Sequence, residues 1–179
     1  MNQAKNMSAI ATAIADEDRQ YLTFLLSGEM FAISILNIKE IIEYGNLTEV
    51  PMMPGFIRGV INVRGSVVPV VDLSARFGRN KTEVSRRTCI VIIEVGSSDE
   101  KHDIGVMVDS VSAVLEIPHG EIEPPPAFGA RIRVDFIHGM GKVGGKFVII
   151  LDANKVLSVD ELSMLGQAAE TMSDAASIR

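Results

Sequence analysis

"FIRGVINVRGSVVPVVDL" (residues 56–73) and "FIHGMGKVGGKFVIILDA" (residues 136–153) are the two stretches whose comparison decides the fold. Set in register 80 residues apart, they share Phe, Ile, Gly, Val, Gly, Val and Asp, while neither arginine of the first copy recurs in the second. Each reads as strand, tight turn, strand, with the turn at Arg64-Gly65 in one copy and in the glycines around Gly144 in the other. Pro69 cannot donate a ladder hydrogen bond, so its strand is expected at an edge or at a bulge.

Working outward, "QYLTFLLSGEMFAISI" (20–35) sets Leu22, Phe24 and Leu26 on one face, turns at Gly28, and continues with Phe31, Ile33 and Ile35. That alternation predicts a β-hairpin. "LNIKEIIEYGNLTEV" (36–50) is open to two readings: Ile38, Ile41 and Ile42 suit a helical turn, and the β-branched content suits a strand. "PMMPG" (51–55) is a Pro-bounded loop, and Phe56–Arg58 suits one short turn. "SARFGRNKTEVSRR" (74–87) is polar without apolar period and marks a candidate boundary.

The pattern then restarts with a strand "TCIVIIEV" (88–95), a long turn "GSSDEKH" (96–102) and a strand with an extension, "DIGVMVDSVSAVLEI" (103–117). "EPPPAF" (123–128) takes the place of the earlier Pro-bounded loop. Two halves, near 20–80 and 88–157, thus share one order of about five short strands each. The expected fold class is all-β: two small five-stranded antiparallel barrels, related by an internal repeat and sharing a core, because so small a unit has few interior positions. A C-terminal helix and tail are expected over 159–179, where Leu162, Leu165 and Ala168 follow a Ser158-x-x-Glu161 capping box. Residues 1–18 read as a loose tail.

At 179 residues and 47% hydrophobic, the chain can bury a sizeable core. Its net charge of −6 argues against broad attraction to nucleic acid or anionic lipid. A single cysteine, Cys89, excludes a disulfide framework and is most simply a small core residue. No apolar run approaches the roughly 20 residues of a membrane helix, and no signal-peptide layout opens the chain. A cytoplasmic protein without direct membrane insertion is expected.

Catalytic and cofactor motifs fail on context. Gly139-Met-Gly141-Lys-Val-Gly144 has the letters of a dinucleotide loop, yet an apolar strand follows where a helix must begin. His102, His119 and His138 lie far apart, with no pairing suited to a metal. Asp72 and Asp152 occupy equivalent repeat positions, which argues for turn or cap chemistry in both. No cofactor, no metal and no enzyme are expected.

The asymmetry between halves carries the functional signal. Arg58 aligns with His138, and Arg64 with Gly144. A solvated hairpin tip is the plain reading of either arginine. A guanidinium at a strand end also suits a bidentate contact with a carboxylate, and Glu40, among Ile38, Ile41 and Ile42, is a candidate partner.

Residues 20–157 resemble the CheW family, adaptors between the histidine kinase CheA and methyl-accepting chemoreceptors. The resemblance rests on "FIRGVINVRGSVVPVVDL", "IKEII", the Pro-bounded loop, "IGVMVDSVSAVLEI" and "GMGKVGGKFVIILD" in that order. It implies two SH3-like barrels around a shared core. It also implies that Ile38, Glu40, Arg58, Gly59, Arg64 and Gly65 lie in the receptor- and kinase-contacting motif, and that Val106 and Val108 line a groove between barrels. The implied partners are the CheA regulatory domain, the cytoplasmic receptor tip and other copies of the adaptor in rings. An adaptor of a sister pathway controlling pili, gliding or gene output fits equally, and a nucleotide enzyme using the Gly139 loop is the distant alternative. Calorimetric titration with ATP, NAD or zinc should give no saturable heat; micromolar nucleotide binding would overturn the scaffold reading.

Overall fold

The computed structural model describes residues 19–97, 99–125, 134–158 and 161. The expected tail at 1–18 and the expected helix after Glu161 lie outside them.

Gln20–Leu26 (β1) and Glu29–Ser34 (β2) form the predicted hairpin. The ambiguous stretch that follows becomes a 3-10 turn, Ile35–Asn37, and then a strand, Ile38–Glu43 (β3). Ile57–Val63 (β4) and Ser66–Asp72 (β5) make the hairpin quoted first, so only Phe56 precedes the strand where a short turn was expected. A one-turn helix, Leu73–Arg76, follows.

Cys89–Ser97 (β6) and Glu100–Val108 (β7) pair as far as Ser97 opposite Glu100, so the long turn expected at 96–102 is mostly strand. The expected strand with an extension is two strands broken at Asp109, β7 and Ser110–Glu116 (β8). Ile122–Glu123 (β9), Ile137–Val143 (β10) and Lys146–Leu151 (β11) complete the described fold.

The repeat is real, but the sheets cut across it. One sheet runs β8-β1-β2-β11-β10-β9 and the other β3-β6-β7-β5-β4. The division into barrel halves at 20–80 and 88–157 therefore needs correction: each half gives its first hairpin to the sheet of the other. Under the repeat the two sheets are equivalent strand for strand. Parallel pairing joins β2 to β11 in one and β7 to β5 in the other. Met140 pairs with Glu123 on β9, and its counterpart Val60 forms a bridge with Thr48. Even the bulges recur, at Lys39 on β3 and at Ser112 on β8, and ahead of Gly59 and Gly139.

Exchange dictates the burial. Alternate residues of β6 and β7 face opposite ways. Ile90, Ile92 and Met107 fill one barrel, while Val91, Ile93, Ile104, Val106 and Val108 enter the core between barrels. Both faces are covered, which is why "TCIVIIEV" is almost wholly apolar. Tyr21, Ala32, Ile117, Val148 and Ile150 fill the second barrel. Across the shared core, Phe24, Phe31, Phe77 and Phe136 form a row of rings with successive centroids 6.2, 5.9 and 5.4 Å apart.

Pro69 lies on an internal strand, a correction to the edge expected for it. Val60 exchanges both backbone hydrogen bonds with Thr48, at 2.8 Å each. The Val60–Pro69 pair is therefore not hydrogen-bonded to each other, and the missing N–H faces β7, whose ladder starts one residue later at Val70.

Asp72 and Asp152 play the cap role in both copies. The backbone N–H of each donates to Phe56 or Phe136, and each carboxylate caps the following turn. Asp72 has a further task. Fully buried, it accepts from the Thr82 N–H and hydroxyl at 2.8 Å each and from the Ala75 N–H at 3.3 Å, so it pins the polar 74–87 stretch against the barrels. Arg76 clamps the two halves. Its guanidinium lies over the equivalent rings of Phe56 and Phe136, at 4.6 and 5.0 Å. It donates to the Val156 carbonyl and pairs with Glu161 at 2.9 Å. Glu161 also closes the capping box, exchanging hydrogen bonds with Ser158 as the sequence predicts.

Replacing Asp72 by alanine strips buried amides of their acceptor and should cost about 2–4 kcal/mol in urea unfolding. Asp152→Ala removes a single partly exposed cap and should cost about 0.5–1 kcal/mol. Equal losses would show that the 74–87 latch is idle.

Candidate functional site: the β3 face and the β4–β5 turn

Closing a five-stranded sheet brings its outer members, β3 and β4, towards each other. The closure is visible in two places: the Thr48–Val60 bridge and the ion pair between Arg64 and Glu40, 3.1 Å between Nη2 and Oε2. Beyond the Lys39 bulge, Glu40 points to the same side of β3 as Ile42, which packs into the barrel interior. Glu40 thus sits at the barrel mouth with about a quarter of its side chain exposed, and Arg64 reaches across from the hairpin tip.

The tip itself is unusual. Arg64 has φ 51° and Gly65 φ 87°, the left-handed pair of a mirror-image two-residue turn. The second copy builds the same turn from Gly144 (φ 57°) and Gly145 (φ 79°). An arginine held in this conformation costs about 1–3 kcal/mol. The ion pair does not offset that, because Arg64 is 85% exposed and surface pairs contribute about 0–1 kcal/mol. Asn62, which the sequence reading passed over, braces the turn by accepting from the Gly65 N–H at 2.9 Å. Its place ahead of Arg-Gly was the available signal.

The remaining expected residues divide. Ile38 is half-buried and packs on the shared core. Arg58 is half-buried and lines a separate cleft. Gly59 serves the chain crossing: a Cβ there would meet the Thr48 carbonyl oxygen at 2.2 Å. Val106 and Val108 need correction, since both are fully buried among β-strand neighbours and present no surface to a partner. The exposed apolar residue next to Glu40 is instead Ile41, on the outer face of β3, while Leu36, also exposed, lines a cleft with His138 and Asp152 of the second copy.

Charges around β3 are fixed by neighbours. The Asp103 carboxylate, hydrogen-bonded to Lys39, holds that ammonium above its usual pKa. The hydrogen bond from Lys101 holds Glu94 below the usual carboxylate range. The Gly139 loop is occupied by scaffold duties. Gly139 passes against Ile122 and Glu123, Gly141 lies against Ile117 and Ile150, and Gly144 and Gly145 form the turn. A strand follows them, where a phosphate cradle opens a helix.

A double barrel whose distinguishing charged pair lies on a strained hairpin turn suits a binding scaffold. The CheW-like domain family matches residues 20–161, and the chain belongs to that family of chemotaxis scaffolds. It is 31% identical over 153 residues to the "Chemotaxis protein CheW" of Klebsiella aerogenes, covering 86% of this chain and 90% of the relative. The protein of the same name from Bacillus subtilis is 33% identical, with 82% and 91% covered. The crystal structure of scaffolding protein TtCheW from Thermoanaerobacter tengcongensis superimposes with a TM-score of 0.74 at 32% identity, over 83% of this chain and 93% of that one.

Arg64→Gly should raise stability in urea unfolding by about 1 kcal/mol, since it relieves the turn and forfeits only a surface pair. A loss of stability would assign the arginine to the fold.

Proposed function

We propose that this chain couples the regulatory domain of the histidine kinase CheA to the cytoplasmic tips of methyl-accepting chemoreceptors, and does so by binding alone. One observation carries the reading: Arg64 occupies a turn that the second copy makes from glycine, and its energetic return within the fold is too small to keep it there. Its companion is the exposed Ile41, next to Glu40 on the outer face of β3. A partner docking on this mouth desolvates the Glu40–Arg64 pair, and a desolvated pair is worth far more than a wet one.

In this reading the adaptor holds kinase and receptor in one geometry, so that a receptor rearrangement biases the kinase. Modest affinities suffice, because an array of many copies, with adaptors meeting one another in rings, multiplies weak contacts. The protein works in the cytoplasm and reaches the membrane only through the receptors. No step requires a cofactor or a covalent intermediate.

The test is a pull-down of the purified chain with the kinase regulatory domain and a receptor tip fragment. Arg64→Ala and Arg64→Gly should both fold and both lose the assembly, by about 2–5 kcal/mol or roughly 30- to 4,000-fold in affinity. Glu40→Ala should impair the same assembly, and the double variant should lose less than the sum of the two. A folded Arg64 variant that still assembles and activates the kinase normally would end the proposal.

A further inference from the structure

The Pro-bounded loop builds a cleft that the Glu40–Arg64 pair does not use. Its volume is about 310 Å³, and it lies where the 47–55 segment folds over the start of β4. Leu47, Val50 and Met53 form apolar walls, and Glu49, Arg58 and Lys81 supply the charges. Arg58 is half-buried, and neither it nor Lys81 makes a hydrogen bond or ion pair with another described residue. Two cations without a partner among the described residues, lining one mostly polar cleft with an aliphatic wall, stand out in a chain of net charge −6.

The loop crest is the second observation. Met52 follows Pro51 with φ 61°, a conformation that side chains other than glycine rarely adopt, and its side chain is fully exposed. A turn of this kind ordinarily takes Gly or Asn at that position. An unbranched, polarizable side chain held out at a strained crest beside this cleft is suited to contacting another chain.

We propose that this cleft docks an acidic, leucine-bearing segment of a partner protein. Its carboxylate lies between Arg58 and Lys81, its aliphatic side chain packs on Leu47, Val50 and Met53, and Met52 covers it from the rim. Charge complementarity selects the occupant. Arg58 is already partly desolvated and, unlike Arg64, is not paired with an acid among the described residues, so a carboxylate gains a charge-assisted bond without displacing one. Glu49, on the same wall, disfavours a segment carrying acids at every position and so requires apolar residues between them. The contact is separate from the β3 mouth and survives if the role proposed for Arg64 fails.

The test follows the methionine methyl signals of the full chain by NMR during titration with three probes: a peptide alternating Glu and Leu, its Gln/Leu analogue, and inorganic phosphate. The Glu/Leu peptide should shift the Met52 and Met53 methyls saturably while leaving the buried Met107 unmoved. The Gln/Leu analogue should bind about tenfold more weakly or worse. Arg58→Gln and Lys81→Gln should each reproduce that loss, and Arg64→Ala should bind as the parent does. Lys81 is exposed, so its variant keeps the test valid if Arg58→Gln melts early. The proposal falls if neither methyl shifts, if the two peptides bind alike, or if the double variant retains binding. It also falls if phosphate alone reproduces the shifts, which would make the cleft a simple anion site.

Discussion

Two short parallel ladders, Phe31 and Ala32 of β2 beside Ile149 and Ile150 of β11, and Val70–Asp72 of β5 beside Gly105–Met107 of β7, hold this molecule together. Each inserts a hairpin from one half into the sheet of the other. Once inserted, the hairpin is covered on one face by its adopted barrel and on the other by the core between barrels. That double burial requires consecutive apolar residues on β6 and β7 and places the row of four phenylalanines at the join. It also leaves Arg76 at the seam, where it touches the equivalent rings of both halves and the backbone of its own repeat counterpart, Val156.

A scaffold specified twice is free to differ where packing does not decide. Asp72 and Asp152 keep the same cap, and among the described residues only Asp72 adds a latch, to Thr82. Gly59 and Gly139 both admit a close chain crossing, whereas Arg64 has replaced the first glycine of one turn. The strands diverge too, even in the core, where Ile61 aligns with Gly141 and Leu73 with Ala153 across the repeat, but Arg64 is the one change at the hairpin turn.

Local pattern made most of the architecture legible. Alternating apolar residues fixed the strands, and the repeat of Phe56–Asp72 in Phe136–Asp152 announced two equivalent barrels. The exchange of hairpins was not legible, because an apolar strand such as β6 carries no mark of which neighbour will cover it. The edge assigned to Pro69 failed for a related reason: a missing N–H shows that one side lacks a bond, not which strand lies there. In the site, a carboxylate isolated among isoleucines and an arginine without a repeat counterpart sufficed to pair Glu40 with Arg64. Val106 and Val108 are as apolar as a groove wall and as apolar as a core, and only the burial of both strand faces tells the two apart.

The exchanged hairpins also impose an order on the birth of the protein. A chain leaving the ribosome exposes β3, β4 and β5 well before β6 and β7 exist to pair with them, and β1 and β2 must wait until β8 and β11 have been made. Neither half can bury its faces while it is alone. The nascent first half is therefore a set of unpaired strand edges with apolar faces, the kind of surface that invites aggregation and chaperone attention. The sheet β3-β6-β7-β5-β4 has all its strands once Val108 is made, whereas its partner waits for Leu151, so one barrel can close while β1 and β2 still lack theirs.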